Sequence, residues 1–119
     1  MTQNHYILEM YRKVDAMDTT GFVNLFTEDG SFRWANMPPV AGKSNLTAFL
    51  NGFFQSIKAI SHTDLEYWDL PGARIVTGFV TYTRLNDTLL RVPFSVIIKF
   101  QGDLINEFMI FIDTSELYK

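Results

Sequence analysis

Apolar residues return every three or four positions over residues 3–16, with Tyr6, Ile7, Met10, Tyr11 and Val14 on one side and Glu9, Arg12 and Lys13 on the other. That period matches the turn of an α-helix and predicts an amphipathic one. Asp18 ahead of Thr19 and Thr20 has the residue type that caps a helix start, so a short second helix should bury Phe22, Val23, Leu25 and Phe26. Glu28-Asp29-Gly30 reads as the turn that ends it. Residues 31–36 alternate as a short strand does, Phe32 and Trp34 against Arg33. Pro38-Pro39 and Gly42 then break the chain. Ser44 is the expected cap of a third helix over residues 44–58, which carries Leu46, Phe49, Leu50, Phe53, Phe54 and Ile57 at helical spacing.

Beyond Ile60 the period changes to that of strands, expected over residues 61–69, 74–85, 88–101 and 104–114. Pro71-Gly72, Asn86-Asp87 and Gln101-Gly102-Asp103 supply the breaks, and the last two are tight enough to fold the final three strands into an antiparallel meander. Helices followed by long strands describe an α+β domain, with N-terminal helices packed on a strongly curved, mostly antiparallel sheet that encloses a pocket. On the last two strands Val92, Phe94, Val96, Ile98, Ile110 and Ile112 fall on the inner face. Ile97, Met109 and Phe111 fall on the outer one, which predicts a homodimer packed sheet to sheet through that face.

A chain of 119 residues has the length of one domain, expected to span residues 1–119. With 47% hydrophobic residues, 19% charged and 11 Phe, it can fill a core and still line a pocket or an interface. The net charge is −3 and the ten Lys and Arg are scattered, so nucleic acid is not an expected partner. Without cysteine, a long apolar span or an N-terminal apolar leader, the chain is expected to be a cytoplasmic protein that makes no membrane contact. The two histidines, His5 and His62, are far apart in sequence, no acid–histidine spacing imitates a metal site, and no glycine-rich phosphate loop is present. Neither a metal nor an organic cofactor is expected.

The candidate chemistry lies in Asp15, at the end of the first helix, and His62, at the opening of the first long strand. Meeting in the pocket, they would pair a carboxylate with an imidazole as a general base. Each also has a plainer reading, Asp15 as a surface or capping residue and His62 as a strand-end side chain bonded to a backbone carbonyl.

The run Asp15-Ala16-Met17-Asp18, followed by Phe22 through Gly30, then Phe32, Asn36 through Gly42, His62 and Phe111-Ile112-Asp113, resembles the SnoaL-like branch of the nuclear-transport-factor-2-like superfamily. That branch is related to ketosteroid isomerase, scytalone dehydratase and limonene epoxide hydrolase, and the resemblance implies a cone-shaped, cystatin-like fold. Steroid-type isomerisation is excluded, because the base position holds Trp34, the tyrosine position Met10 and the second aspartate position Val96. An epoxide-hydrolase arrangement would draw on Arg91 and Asp113 but lacks an evident third carboxylate. Asp15 and His62 do match the aspartate–histidine pair of the cyclases and dehydratases. The resemblance therefore implies a cofactor-independent lyase or isomerase acting on a small apolar carbonyl compound.

Trp34 replaces the tyrosine that polarises the carbonyl in scytalone dehydratase, so the electrophilic role passes to Asn36, to Tyr11, to a water, or to nothing. Tyr11, Trp34, Asn36, Phe54, Phe94, Val96 and Ile112 are the expected pocket residues, with Asp113 as a further acceptor although strand alternation turns it the other way. The rival reading is a non-catalytic dimeric binding or interaction module. The separation of Asp15 from His62 discriminates between the two.

Overall fold

The computed structural model describes residues 3–119, with side chains from Tyr6 onward; the His5 side chain lies outside the described residues. Three helices, α1 (Gln3–Asp15), α2 (Thr19–Val23) and α3 (Lys43–Gln55), pack into the concave side of a curved, unclosed six-stranded sheet. The strands are β1 (Phe26–Trp34), β2 (Val40–Ala41), β3 (Ala59–Leu70), β4 (Ala73–Thr83), β5 (Leu89–Gln101) and β6 (Leu104–Ile112), in the order β2-β1-β6-β5-β4-β3. Strands β3 to β6 form the antiparallel meander, which is one strand longer than the turns alone predict, and β1 joins it parallel to β6.

The helices form for local reasons. Ile7, Met10 and Tyr11 bury the apolar stripe of α1, while Arg12 and Lys13 in its last turn suit the negative end of the helix dipole. Asp18 caps α2, its carboxylate accepting from the Gly21 N–H at 3.0 Å. In α3 the cap is not Ser44: Gly42 takes that place with φ +88°, and Asn45 spends its side chain on the Ala41 carbonyl at 3.0 Å. Glu28-Asp29-Gly30 is likewise not a turn but part of β1. Phe26, fully buried, pairs with Ile105 of β6, and a register shift before Ser31 absorbs the polar residues without ending the strand.

Two features shape the wall that carries the site. The β3–β4 hairpin turns at Gly72, whose φ of +70° suits a residue without a side chain. Just past His62, β3 bulges between Thr63 and Glu66, with Asp64 at φ +55°. Gly78 of β4 faces this bulge so closely that a Cβ there would stand 2.8 Å from the Thr63 carbonyl oxygen and 3.1 Å from the Phe94 ring. The bulge bends the sheet, and Gly78 is the space into which it bends.

Along β4 the inward positions are Arg74, Val76, Gly78, Val80 and Tyr82, all buried. Arg74 closes one end of the half-cone, its guanidinium over the rings of Tyr6, Tyr67 and Phe100 and its Nε donating to Asp69 at 2.6 Å. At the other end a C-terminal strap crosses the molecule. Leu117 is buried to 1% exposure, Arg84 donates to the carbonyls of Leu117 and Glu116, and the hydroxyls of Tyr118 and Ser56 are 2.7 Å apart. No helix among the described residues is long and apolar enough to cross a membrane.

Candidate active site

Between the helices and the sheet lies a cavity of about 50 Å³. By the volume one water needs, that is room for on the order of four waters, so a larger occupant requires the walls to shift. The lining is hydrocarbon except for four side chains with a polar atom: Tyr11, Trp34, His62 and Tyr82.

Asp15 and His62 meet. The carboxylate spans the histidine, one oxygen 2.5 Å from ring Nδ1 and the other accepting the His62 backbone N–H at 3.1 Å. Helix and strand are thus joined at the point where the imidazole enters the cavity. The His62 side chain is 9% exposed and that of Asp15 29%, so the ring faces inward while the carboxylate sits behind it, toward the rim. A carboxylate accepts but does not donate, so Nδ1 carries the shared proton, and in the neutral ring Nε2 carries the lone pair. No hydrogen bond to Nε2 occurs among the described residues. Aromatic rings hold the imidazole on both sides: Tyr11 lies 4.5 Å away, tilted, and Phe94 meets it edge to face at 5.3 Å.

Tyr11 stands against the ring but offers little chemistry. Its hydroxyl is buried without a hydrogen-bond partner, and burial, reinforced by the Asp15 charge, pushes its pKa well above the ordinary tyrosine value. At the opposite end, burial pushes the Tyr82 hydroxyl up to about 12, while the Trp34 indole N–H, directed at the same oxygen, pulls the other way.

Of the residues expected in the pocket, Tyr11, Trp34, Phe54, Phe94, Val96, His62 and Ile112 line the cavity. Two do not. Asn36 is exposed in the turn after β1, where its short side chain stands outside the lining. Asp113 is exposed past the end of β6, where its carboxylate caps the turn by accepting the Ser115 N–H at 2.9 Å, and those Ser115 contacts hold its pKa below the ordinary carboxylate range. Arg91 is on the outer face, paired with Asp64 at 3.0 Å and stacked over Phe79, so the epoxide-hydrolase set is not assembled. Sequence reasoning missed Tyr82, although the alternation Val76, Val80, Tyr82 was there to place it inward. Among the described residues no group of three or more His, Asp or Glu could hold a metal ion.

The sequence profile of the SnoaL-like domain matches residues 7–108, and the chain belongs to that family. No curated protein matches it. Solved structures do. A protein from Catenulispora acidiphila DSM 44928 with a ketosteroid isomerase-like fold, in complex with trimethylamine, superposes with a TM-score of 0.87 at 13% identity, over 98% of this chain and 91% of that one. A protein from Pseudomonas putida KT2440, provisionally called a polyketide cyclase, gives 0.84 at 15%, covering 95% and 92%. TerC, co-crystallised with polyporic acid, gives 0.82 at 16%, covering 94% of each chain. At these identities the likeness establishes the fold.

Proposed function

We propose that this chain is a cofactor-independent lyase or isomerase that moves a proton on a small, largely apolar carbonyl compound. His62 is the acid–base group and Asp15 its positioning residue. The observation that carries this reading is the two-point grip of Asp15 on the His62 ring and backbone, which fixes the tautomer and leaves Nε2 toward an apolar cavity. Nε2 would take a proton from the carbon next to the carbonyl, and the enolate so formed would eliminate a leaving group, attack a second carbonyl, or be reprotonated. Family membership supports acid–base chemistry of this kind, as does the P. putida neighbour's provisional name.

The test is solvent exchange. Native protein and His62→Ala are incubated in D₂O with a panel of small cyclic ketones, and loss of the α-proton is followed by NMR. Exchange above the buffer rate in native protein, and its loss by a factor of about 10² or more in the variant, is expected. Equal exchange by both proteins overturns the proposal.

The rival reading, a binding module without turnover, draws on the small volume and nearly hydrocarbon lining of the cavity. It expects ligand uptake with no exchange. In either reading we infer a second copy of the chain as partner. Trp68, Ile75, Ile97 and Met109 are in register across β3, β4, β5 and β6 on the outer face, and Trp68 is half exposed. Such a row suits a two-fold sheet-to-sheet contact. Sedimentation should give a dimer that Ile97→Glu splits; a native monomer at high micromolar concentration would contradict it.

A further inference from the structure

His62 is one polar end of the cavity, and the other has no assigned work. Tyr82 pairs with Ile60 across the β3–β4 ladder while His62 pairs with Val80, so the two side chains are diagonal neighbours on the same inner wall. Such neighbours are about 7–8 Å apart at the backbone, a span that a small ring can bridge. Phe53 packs against both Trp34 and Tyr82, at 4.9 and 6.2 Å between ring centroids, and holds the pair at the α3 side of the cavity.

An indole N–H can only donate, so the Trp34 N–H directed at the Tyr82 oxygen leaves the tyrosine's own proton for another acceptor. None of the hydrogen bonds among the described residues is donated by that hydroxyl. Tyr82 is 2% exposed and lines the cavity, so a ligand seated there is within reach of its proton.

We infer that Tyr82 is the group that recognises the ligand's oxygen, donating its O–H to a carbonyl, with Trp34 as the positioning residue that turns the hydroxyl toward it. This rests on the proton-transfer reading of the site and deepens it by naming the substrate class: a compact apolar ketone whose acidic C–H lies toward His62. His62 Nε2 takes the proton, the C–H electron pair becomes the new C=C bond, and the carbonyl π pair moves onto oxygen, where Tyr82 holds the enolate. Return of a proton from Nε2 to carbon restores the ketone. Because burial keeps the phenol protonated through neutral pH, Tyr82 acts as a donor and does not compete with His62 as a base. It supplies the donor that the family's tyrosine would have given at position 34.

The test compares cyclohexanone with methylenecyclohexane, which has nearly the same shape but no acceptor oxygen. Binding of each to native protein, Tyr82→Phe and Trp34→Phe is measured by NMR titration. Loss of one neutral hydrogen bond should weaken cyclohexanone about three- to tenfold in Tyr82→Phe and less in Trp34→Phe, with the hydrocarbon changed by less than about twofold in both. Equal weakening of both ligands, or of neither, overturns the inference. Should Tyr82→Phe fail to fold, the carbonyl stretch of ¹³C-labelled cyclohexanone bound to native protein decides. A frequency below that in cyclohexane supports a donor, and one equal to it overturns the inference. If native protein binds neither compound, both the inference and the ligand cavity fail. If it binds the ketone through Tyr82 yet catalyses no exchange, only His62's role as base is lost.

Discussion

The two polar ends of the cavity differ in how the protein grips them. At the His62 end both carboxylate oxygens of Asp15 are taken, one by the ring and one by the backbone, and two aromatic rings pack against the imidazole, so that Nε2 and the Tyr11 hydroxyl are the groups left without a hydrogen bond there among the described residues. At the Tyr82 end the hydroxyl has the Trp34 N–H as its neighbour, with Phe53 packed against both rings. A group that performs proton transfer gains from being rigid before the ligand arrives. A group that recognises an oxygen needs an unfilled bond to offer. On the proposed reading, the ring gripped at two points is the group that acts on the ligand, and the Tyr82 hydroxyl is the group that receives its oxygen.

The comparison breaks most sharply at Asp15. Asp15→Asn keeps the shape but removes the charge that selects the tautomer, so ketone exchange should fall by about 10² to 10⁴, measured in D₂O, while cyclohexanone affinity changes little. A parallel loss of affinity would mean that the two ends are not separable.

Next in size are two packing changes. Leu117→Ala empties a fully buried site under the C-terminal strap and should cost about 2–5 kcal/mol by chemical denaturation, loosening the Tyr82 end while the Asp15–His62 contact stays intact. Gly78→Ala does the reverse. Its Cβ would stand 2.8 Å from the Thr63 carbonyl, so a loss of about 1–3 kcal/mol should come with a shifted His62 resonance.

A smaller effect is alkaline. The Tyr82 pKa is raised by burial to about 12 from 10, so its neutral form stabilises the fold fully below pH 10, and this stability is lost as pH rises through 12. Thermal melts over that window should show Tyr82→Phe losing less stability than native protein, by on the order of 2 kcal/mol. The smallest effects are expected outside the cavity, where Asn36→Ala and Asp113→Ala should leave exchange within about twofold.

Much of this was legible in the sequence because the signals are periodic. The stripe of Ile7, Met10 and Tyr11 and the alternation of Phe94, Val96 and Ile98 depend only on which side of an element is buried. The Asp15–His62 contact was legible through the family resemblance, which supplies a long-range pairing that no local pattern contains. What failed depends on partners distant in sequence. Glu28-Asp29-Gly30 has turn chemistry, yet pairing with β6 keeps it in a strand. Asn36 and Asp113 have suitable functional groups, but the strand ends that carry them have already left the cavity. Tyr82 was overlooked because, without the Trp34 N–H beside it, a tyrosine on a strand is merely an inward aromatic.

The central claim is that Asp15 holds His62 with the proton on Nδ1 and the lone pair of Nε2 toward the cavity. A two-bond ¹H–¹⁵N correlation spectrum of the imidazole, recorded at a pH where the ring is neutral, reads the tautomer without any ligand. The Nδ1–H form is predicted for the native protein, with a mixture of tautomers in Asp15→Asn. A native ring protonated on Nε2 would leave no base facing the cavity and would contradict the account.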